Sequence, residues 1–260
     1  MQKHIAPDAL ARDSRFNRIT LEQRFNDPRS NGEERRLRQD AEDVADRARR
    51  QMHGIFVGEI QALEGAGRTA FDFESPGEVP FQLKLDMARQ CWDEARHVEI
   101  SLKLGDHMGS EVGEFGESTF LFEAACNADP LFRLAGVNRA LEGLAIDVFT
   151  TMRDFADEMG DPVLGFCEDW MLADEVTHVK MGSTWLREVT KDDPERRAKA
   201  LEFQRTVDSL FNFRGARAED AEAAIKLARK FREMAGFSTE EINELAAMAE
   251  RDRAAIASAY

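Results

Sequence analysis

The residues in this chain best able to do chemistry are four carboxylates and two histidines set out twice in one pattern. Ala62-Leu63-Glu64-Gly65 returns as Ala140-Leu141-Glu142-Gly143, and Asp93-Glu94-Ala95-Arg96-His97-Val98 returns as Asp174-Glu175-Val176-Thr177-His178-Val179. Glu94 follows Glu64 by 30 residues and Glu175 follows Glu142 by 33. A lone Glu-x-x-His carries little weight in a chain with 50 acidic residues and five histidines. Its duplication with the same flanks, after the same tetrapeptide, is the informative feature.

On a helix, three residues return nearly to the same face, so Glu94 with His97, and Glu175 with His178, each project in one direction and can grip one metal ion. With Glu64 and Glu142 added, four carboxylates and two neutral imidazoles balance two divalent cations, which lets the set sit in a low-dielectric interior. The expected ligands are therefore Glu64, Glu94, His97, Glu142, Glu175 and His178, holding two ions of iron, of manganese, or one of each, because oxygen and imidazole donors suit both metals. Crowded carboxylates are costly without metal, so binding should release protons and stabilise the fold. Asp93 and Asp174 lie one residue before the ligand Glu, turned about 100° round the helix. They are expected to orient the histidines, since a ligating imidazole commonly donates its second N–H to a carboxylate or carbonyl.

Other residues have blander readings. Glu168, two turns before Glu175, and Glu59, five residues before Glu64, are extra carboxylates that either serve the site or face solvent. His53 lies about 16 Å along the helix from Glu64, too far to share a metal, and reads as a polar core or interface residue. Cys91 reads as a small buried apolar residue. Gly65, Gly67 and Gly143 sit in helix interiors at some cost, explained equally by room beside the metals or by close helix packing. Phe56, Phe71, Trp92, Phe149, Trp170 and Trp185 read as core, with the walls of an apolar pocket as the alternative.

The elements that must position these residues are helices. No segment shows sustained period-2 alternation, so the chain reads as all-α. The first long helix is expected from about Glu33 to Phe73, broken by the Pro- and Gly-containing segment ending at Pro80. The second runs to about Leu104, the third covers about Pro130 to Met159, and Gly160-Asp161-Pro162 stops it and opens a fourth that reaches about Val189. Further helices are expected from Asp193-Pro194, near Glu219, and after the capping box Ser238-Thr-Glu-Glu241. The resulting division is an N-terminal arm (1–32), a four-helix bundle (33–190) and a C-terminal helical extension (191–260). The long link between helices two and three suits a bundle with a crossover connection.

The 260 residues carry a net charge of −15, which argues against nucleic acid as a partner. Residues 1–50 are the exception, with 12 Lys and Arg against 10 Asp and Glu, and are expected to pack on the acidic remainder or on a second subunit. A homodimer is thus one assembly in view. No apolar run is long enough for a membrane span, and no signal peptide is evident. Three cysteines without a Cys-x-x-Cys pair suit a reducing compartment, and the cytoplasm is the expected location.

Taken together, the six ligand residues resemble the ferritin-like di-iron carboxylate pattern. Asp93-Glu94-Ala95-Arg96-His97 is similar to the Asp-Glu-x-Arg-His motif of bacterial multicomponent monooxygenases, from which the second copy departs with Thr177 in place of Arg. Glu59-Ile-Gln-Ala-Leu-Glu64, Glu142-Gly-Leu-Ala-Ile-Asp147 and Asp174-Glu-Val-Thr-His-Val-Lys-Met-Gly-Ser-Thr-Trp185 are closer to a ferritin-like family filed as domain of unknown function 455, over roughly residues 50–190. The superfamily resemblance implies an antiparallel four-helix bundle and O2 or peroxide chemistry at two metals. Tyr260 is the only tyrosine, which argues against a tyrosyl-radical generator. No remaining histidine is well placed as the extra ligand expected of arylamine N-oxygenases. The expected function is an O2-dependent oxidoreductase, a hydroxylase or oxygenase of a small organic substrate, served by an electron-donor protein. Iron oxidation for storage and manganese-catalase-like peroxide removal are the alternatives.

Overall fold

In the computed structural model, residues 17–18, 44–212, 217–219 and 223–257 are described. The expected start of the first helix near Glu33 and most of the N-terminal arm lie outside them. The described chain is mostly helical, as the pattern predicts. It divides into two compact units. One comprises the described residues up to Ala128 with Phe155–Cys167, and the other Asp129–Asp154 with the described residues from Glu168 onward.

The first unit is built on a helical hairpin, α1 (Val44–Asp72) and α2 (Phe81–His107). The helices pair antiparallel, Glu59 meeting His97 near their middles and Phe73 meeting Lys84 at the turn. Their break falls where proline and glycine require it, with Gly77 at positive φ. Lys84 closes the turn by donating to the Phe73 carbonyl over 2.8 Å.

The segment after α2 is tied back onto α1. A two-residue strand, β2 (Gly116–Glu117), pairs in parallel with β1 (Asn17–Arg18) and precedes a short helix, α3 (Phe120–Ala125), that the sequence pattern does not announce. Buried Gln61 supplies the tie: its amide donates to the Ser118 carbonyl at 3.0 Å, and its oxygen accepts from the Phe122 N–H at 3.2 Å. A Cβ on Gly65 would lie 2.9 Å from Ala125 Cβ, and one on Gly67 would touch Cys91 Sγ at 3.6 Å. Gly65 therefore lets α1 approach α3 closely, which is a packing explanation of that glycine, whereas a Cβ on Gly67 would make only an ordinary contact.

In the other unit the third helical run is not uniform. Asp129 caps it, accepting from Leu131 N–H at 2.8 Å, and Pro130 opens α4 (Pro130–Arg133). Leu134–Leu141 is π-helical, and α5 (Glu142–Met159) begins at Glu142, one of the expected ligands. The π stretch packs on α7 (Pro194–Leu210), where a Cβ on Gly136 would lie 2.6 Å from the Phe203 ring. The turn to α6 (Pro162–Val189) is as expected: Gly160 has φ +66°, and Asp161 accepts from the N–H groups of Val163 and Leu164 at 3.0 Å each.

Asp193 caps α7 in the predicted manner. The helix expected near Glu219 falls partly outside the described residues, and the described residues beside it, 217–219 and 223–228, are not helical. Two-residue parallel strands β3 (Arg217–Ala218) and β4 (Ile225–Lys226) flank that position, and the next helix, α8, is Arg229–Met234. The reason is a buried ion network. Arg232 holds Asp147 through paired bonds and donates to the Gly143 carbonyl, while Arg217 pairs with Asp208, and satisfying these charges draws the chain in as extended backbone. The capping box forms reciprocally at α9 (Thr239–Ala257): Glu241 N–H donates to Ser238 Oγ at 3.2 Å, and Ser238 N–H to Glu241 Oε2 at 2.8 Å.

Candidate metal centre

Each unit carries three buried carboxylate and imidazole side chains that could hold a metal ion. In the first unit these are Glu59, Glu94 and His97, with one donor atom from each lying within 4.8 Å of the others. His97 Nδ1 is 3.2 Å from Glu59 Oε2 and 3.2 Å from Glu94 Oε2. Gln90, one turn earlier on α2, donates to Glu94 Oε1 at 3.1 Å. Both Glu94 and His97 are completely buried.

On α1 the glutamate beside His97 is Glu59, not the expected ligand Glu64. Glu64 is exposed, whereas Glu59 is buried against His97. Five residues along a helix turn the side chain through about 140°, so only one of the two can face α2. Glu59 shares its face with Met52, Ile55, Phe56, Ala62 and Ala66, all buried, while Glu64 shares its own with Phe71, which is exposed. The tetrapeptide repeat pointed to Glu64 because it matches letters and not helix faces.

In the second unit the cluster is Glu142, Glu175 and His178, again with donor atoms within 4.8 Å of one another. All three are buried, and His178 Nδ1 lies 3.5 Å from Glu175 Oε1. The π stretch ends where Glu142 begins. Its wider i→i+5 turns change the rotation accumulated since Pro130 and so set the direction in which Glu142 leaves the helix. Arg232 grips the carbonyl of Gly143, next to Glu142 in the chain, and the Asp147 carboxylate, stiffening this stretch.

The neighbouring candidates divide. Asp93 is buried and ion-paired with Arg96, the Arg of its motif, and with Arg89 at 3.5 Å. Asp174 is half-buried, and Thr177, which replaces that Arg, donates to the Ala173 carbonyl on its own helix. Glu168 is completely buried on α6. His53 takes the structural role: Nε2 accepts from Gly113 N–H at 3.0 Å, which puts the proton on Nδ1, 3.1 Å from Glu117 Oε1. Burial, and then the charge of Glu94, push the Cys91 thiol up, so it stays protonated and a poor ligand. Phe56 and Phe149 are core, whereas Phe71 and Trp92 are about two-thirds exposed, contrary to the core reading.

The fold and these residues define a helical protein with buried carboxylate and imidazole clusters of metal-binding type. The model of the family described as "Protein of unknown function (DUF455)" matches residues 11–243, and the chain belongs to that family. Comparison with curated proteins and with solved structures gives no match.

Proposed function

We propose that each cluster holds one metal ion, two per chain as in ferritin-like di-iron proteins, and that the protein is an O2-activating oxidoreductase acting on a small organic substrate. The observation that carries this reading is that each compact unit supplies two buried glutamates and one buried imidazole with donor atoms close together. The donor set fits the metal. Oxygen and nitrogen donors without a thiolate suit iron or manganese, and four carboxylates against two divalent ions leave no net charge to bury. Iron so held would supply O2 reduction and oxidising power toward a C–H bond or similar group.

The chain's own residues do the rest. Glu59, Glu94 and His97 would hold one ion and Glu142, Glu175 and His178 the other, with Arg96 fixing Asp93 and Arg232 steadying the Gly143 turn. Burial of all six ligand residues keeps bulk water from competing for the ions.

The test is metal content of protein purified without added metal, then anaerobic Fe(II) loading and mixing with O2 while O2 uptake and the visible spectrum are followed. About two ions per chain, O2 uptake that responds to a reductant, and retention of iron after turnover are expected. Release of Fe(III) with Fe(II) and O2 as the only reactants would mark an iron-oxidising protein instead. Fewer than two metals per chain, unchanged by Glu142→Ala or His178→Ala, would sink the two-metal reading.

A further inference from the structure

On α2, Gln90, Glu94, His97 and Ser101 form a polar line down the buried face of the helix. Gln90 spends its amide on Glu94. Ser101 is different: its side chain is 1% exposed, and its hydroxyl has no hydrogen-bond partner among the described residues. A buried hydroxyl without a partner is costly and calls for a cause.

The ordinary remedy is close at hand and is not taken. A helical Ser or Thr can turn its hydroxyl onto the carbonyl four residues earlier. Thr69, Thr150, Thr151, Thr177, Thr190 and Thr206 all do so in this protein. Ser101 leaves the His97 carbonyl alone. Four residues place it about 6 Å further along the same face as His97, and helical side chains lean toward the N-terminus, back over the ring.

The duplicated unit supplies a contrast. Counting four residues past His178 arrives at Gly182, where a Cβ would lie 2.5 Å from Asn138 Cβ and 3.3 Å from the Asn138 carbonyl carbon. Close approach of the π-helical segment fills that position. Of two equivalent places, one is closed by packed chain and the other presents an unspent hydroxyl.

We propose that Ser101 Oγ hydrogen-bonds a small polar ligand, water or a small anion, held at the Glu59–Glu94–His97 cluster, and that of the two clusters this one accepts the ligand. The inference rests on the metal reading above. Ser101 is a positioning residue for that ligand and does not hold the metal.

The test compares wild type with Ser101→Ala and Ser101→Thr by three measurements: melting temperature of the metal-free protein, metal content after iron loading, and azide affinity of the ferric form by visible titration. Ser101→Ala is expected to melt at or above the wild-type temperature, since it removes an unpaid polar group, to load the same metal, and to bind azide about tenfold more weakly. Ser101→Thr, which keeps the hydroxyl, should retain most of the azide affinity. Equal azide affinity in wild type and Ser101→Ala, both fully loaded, would overturn this proposal alone. Failure of the wild type to take up metal would overturn the metal reading and this one with it.

Discussion

The choice between Glu59 and Glu64 rests on a helix face. Both are glutamates on α1 and both stand near the repeat, yet only Glu59 is buried with His97. Glu59→Gln keeps the shape and removes the charge, so it should weaken metal binding by more than the roughly 10- to 100-fold typical of losing an outer partner. Glu64→Gln should leave affinity and stoichiometry unchanged. Calorimetric titration of the metal-free variants with Mn(II) decides this, and equal losses in both would overturn the assignment of Glu59. That Glu94 with His97, and Glu175 with His178, share a buried helix face was legible because Glu-x-x-His is a statement about one helix face and needs no partner to be read. Glu59 required knowing which face of α1 meets α2.

At the scale of elements, the helix ends were the most readable part. Asp129, Asp161, Asp193 and Ser238 all cap as their sequence context implies, because a cap is settled within three or four residues. Asp161 also pairs with His107 at 2.8 Å. Partial burial raises its pKa, but the Leu164 amide, His107 and the Val163 amide outweigh that and hold the carboxyl below its ordinary value. A lowered folded-state value means stabilisation present above the unfolded pKa of about 3.9 and lost as pH falls through the folded one. Asp161→Ala should therefore cost about 1 kcal/mol at neutral pH, with the gap to wild type closing below about pH 4, as read by urea unfolding at a series of pH values. A gap that widens in acid would refute the sign.

The π stretch and the break near Glu219 were not readable. Leu134–Leu141 has the apolar pattern of an ordinary helix, and its wider winding is seen only with Phe203 packed against Gly136. The strands at Arg217–Ala218 and Ile225–Lys226 accompany buried charges contributed by Asp147, Asp208 and Arg232, residues up to 85 positions apart in the chain.

For the whole molecule, the notable quantity is how many carboxylates are buried. Each compact unit keeps two glutamates and a histidine away from water, a costly arrangement that a divalent cation relieves. Saturating a chelator-treated sample with Mn(II) or Fe(II) at about 100 times the dissociation constant should add about 2.7 kcal/mol and raise the melting temperature by about 5–10 °C. Scanning calorimetry with and without metal measures this, and an unmoved transition would remove the metal from the account. Among the described residues, no helix is long and apolar enough to cross a membrane.

By itself the sequence determined that this protein is helical, where most helices start and stop, and that two copies of a carboxylate and histidine unit lie on helix faces. These properties are local, settled by caps, periodicity and residues three or four apart. Tertiary structure decided which glutamate of α1 turns inward, why Gly65 sits inside α1, where the π-helical winding falls before Glu142, and that Ser101 keeps its hydroxyl unspent. Each of these depends on what lies across from a residue in space, which no spacing along the chain records.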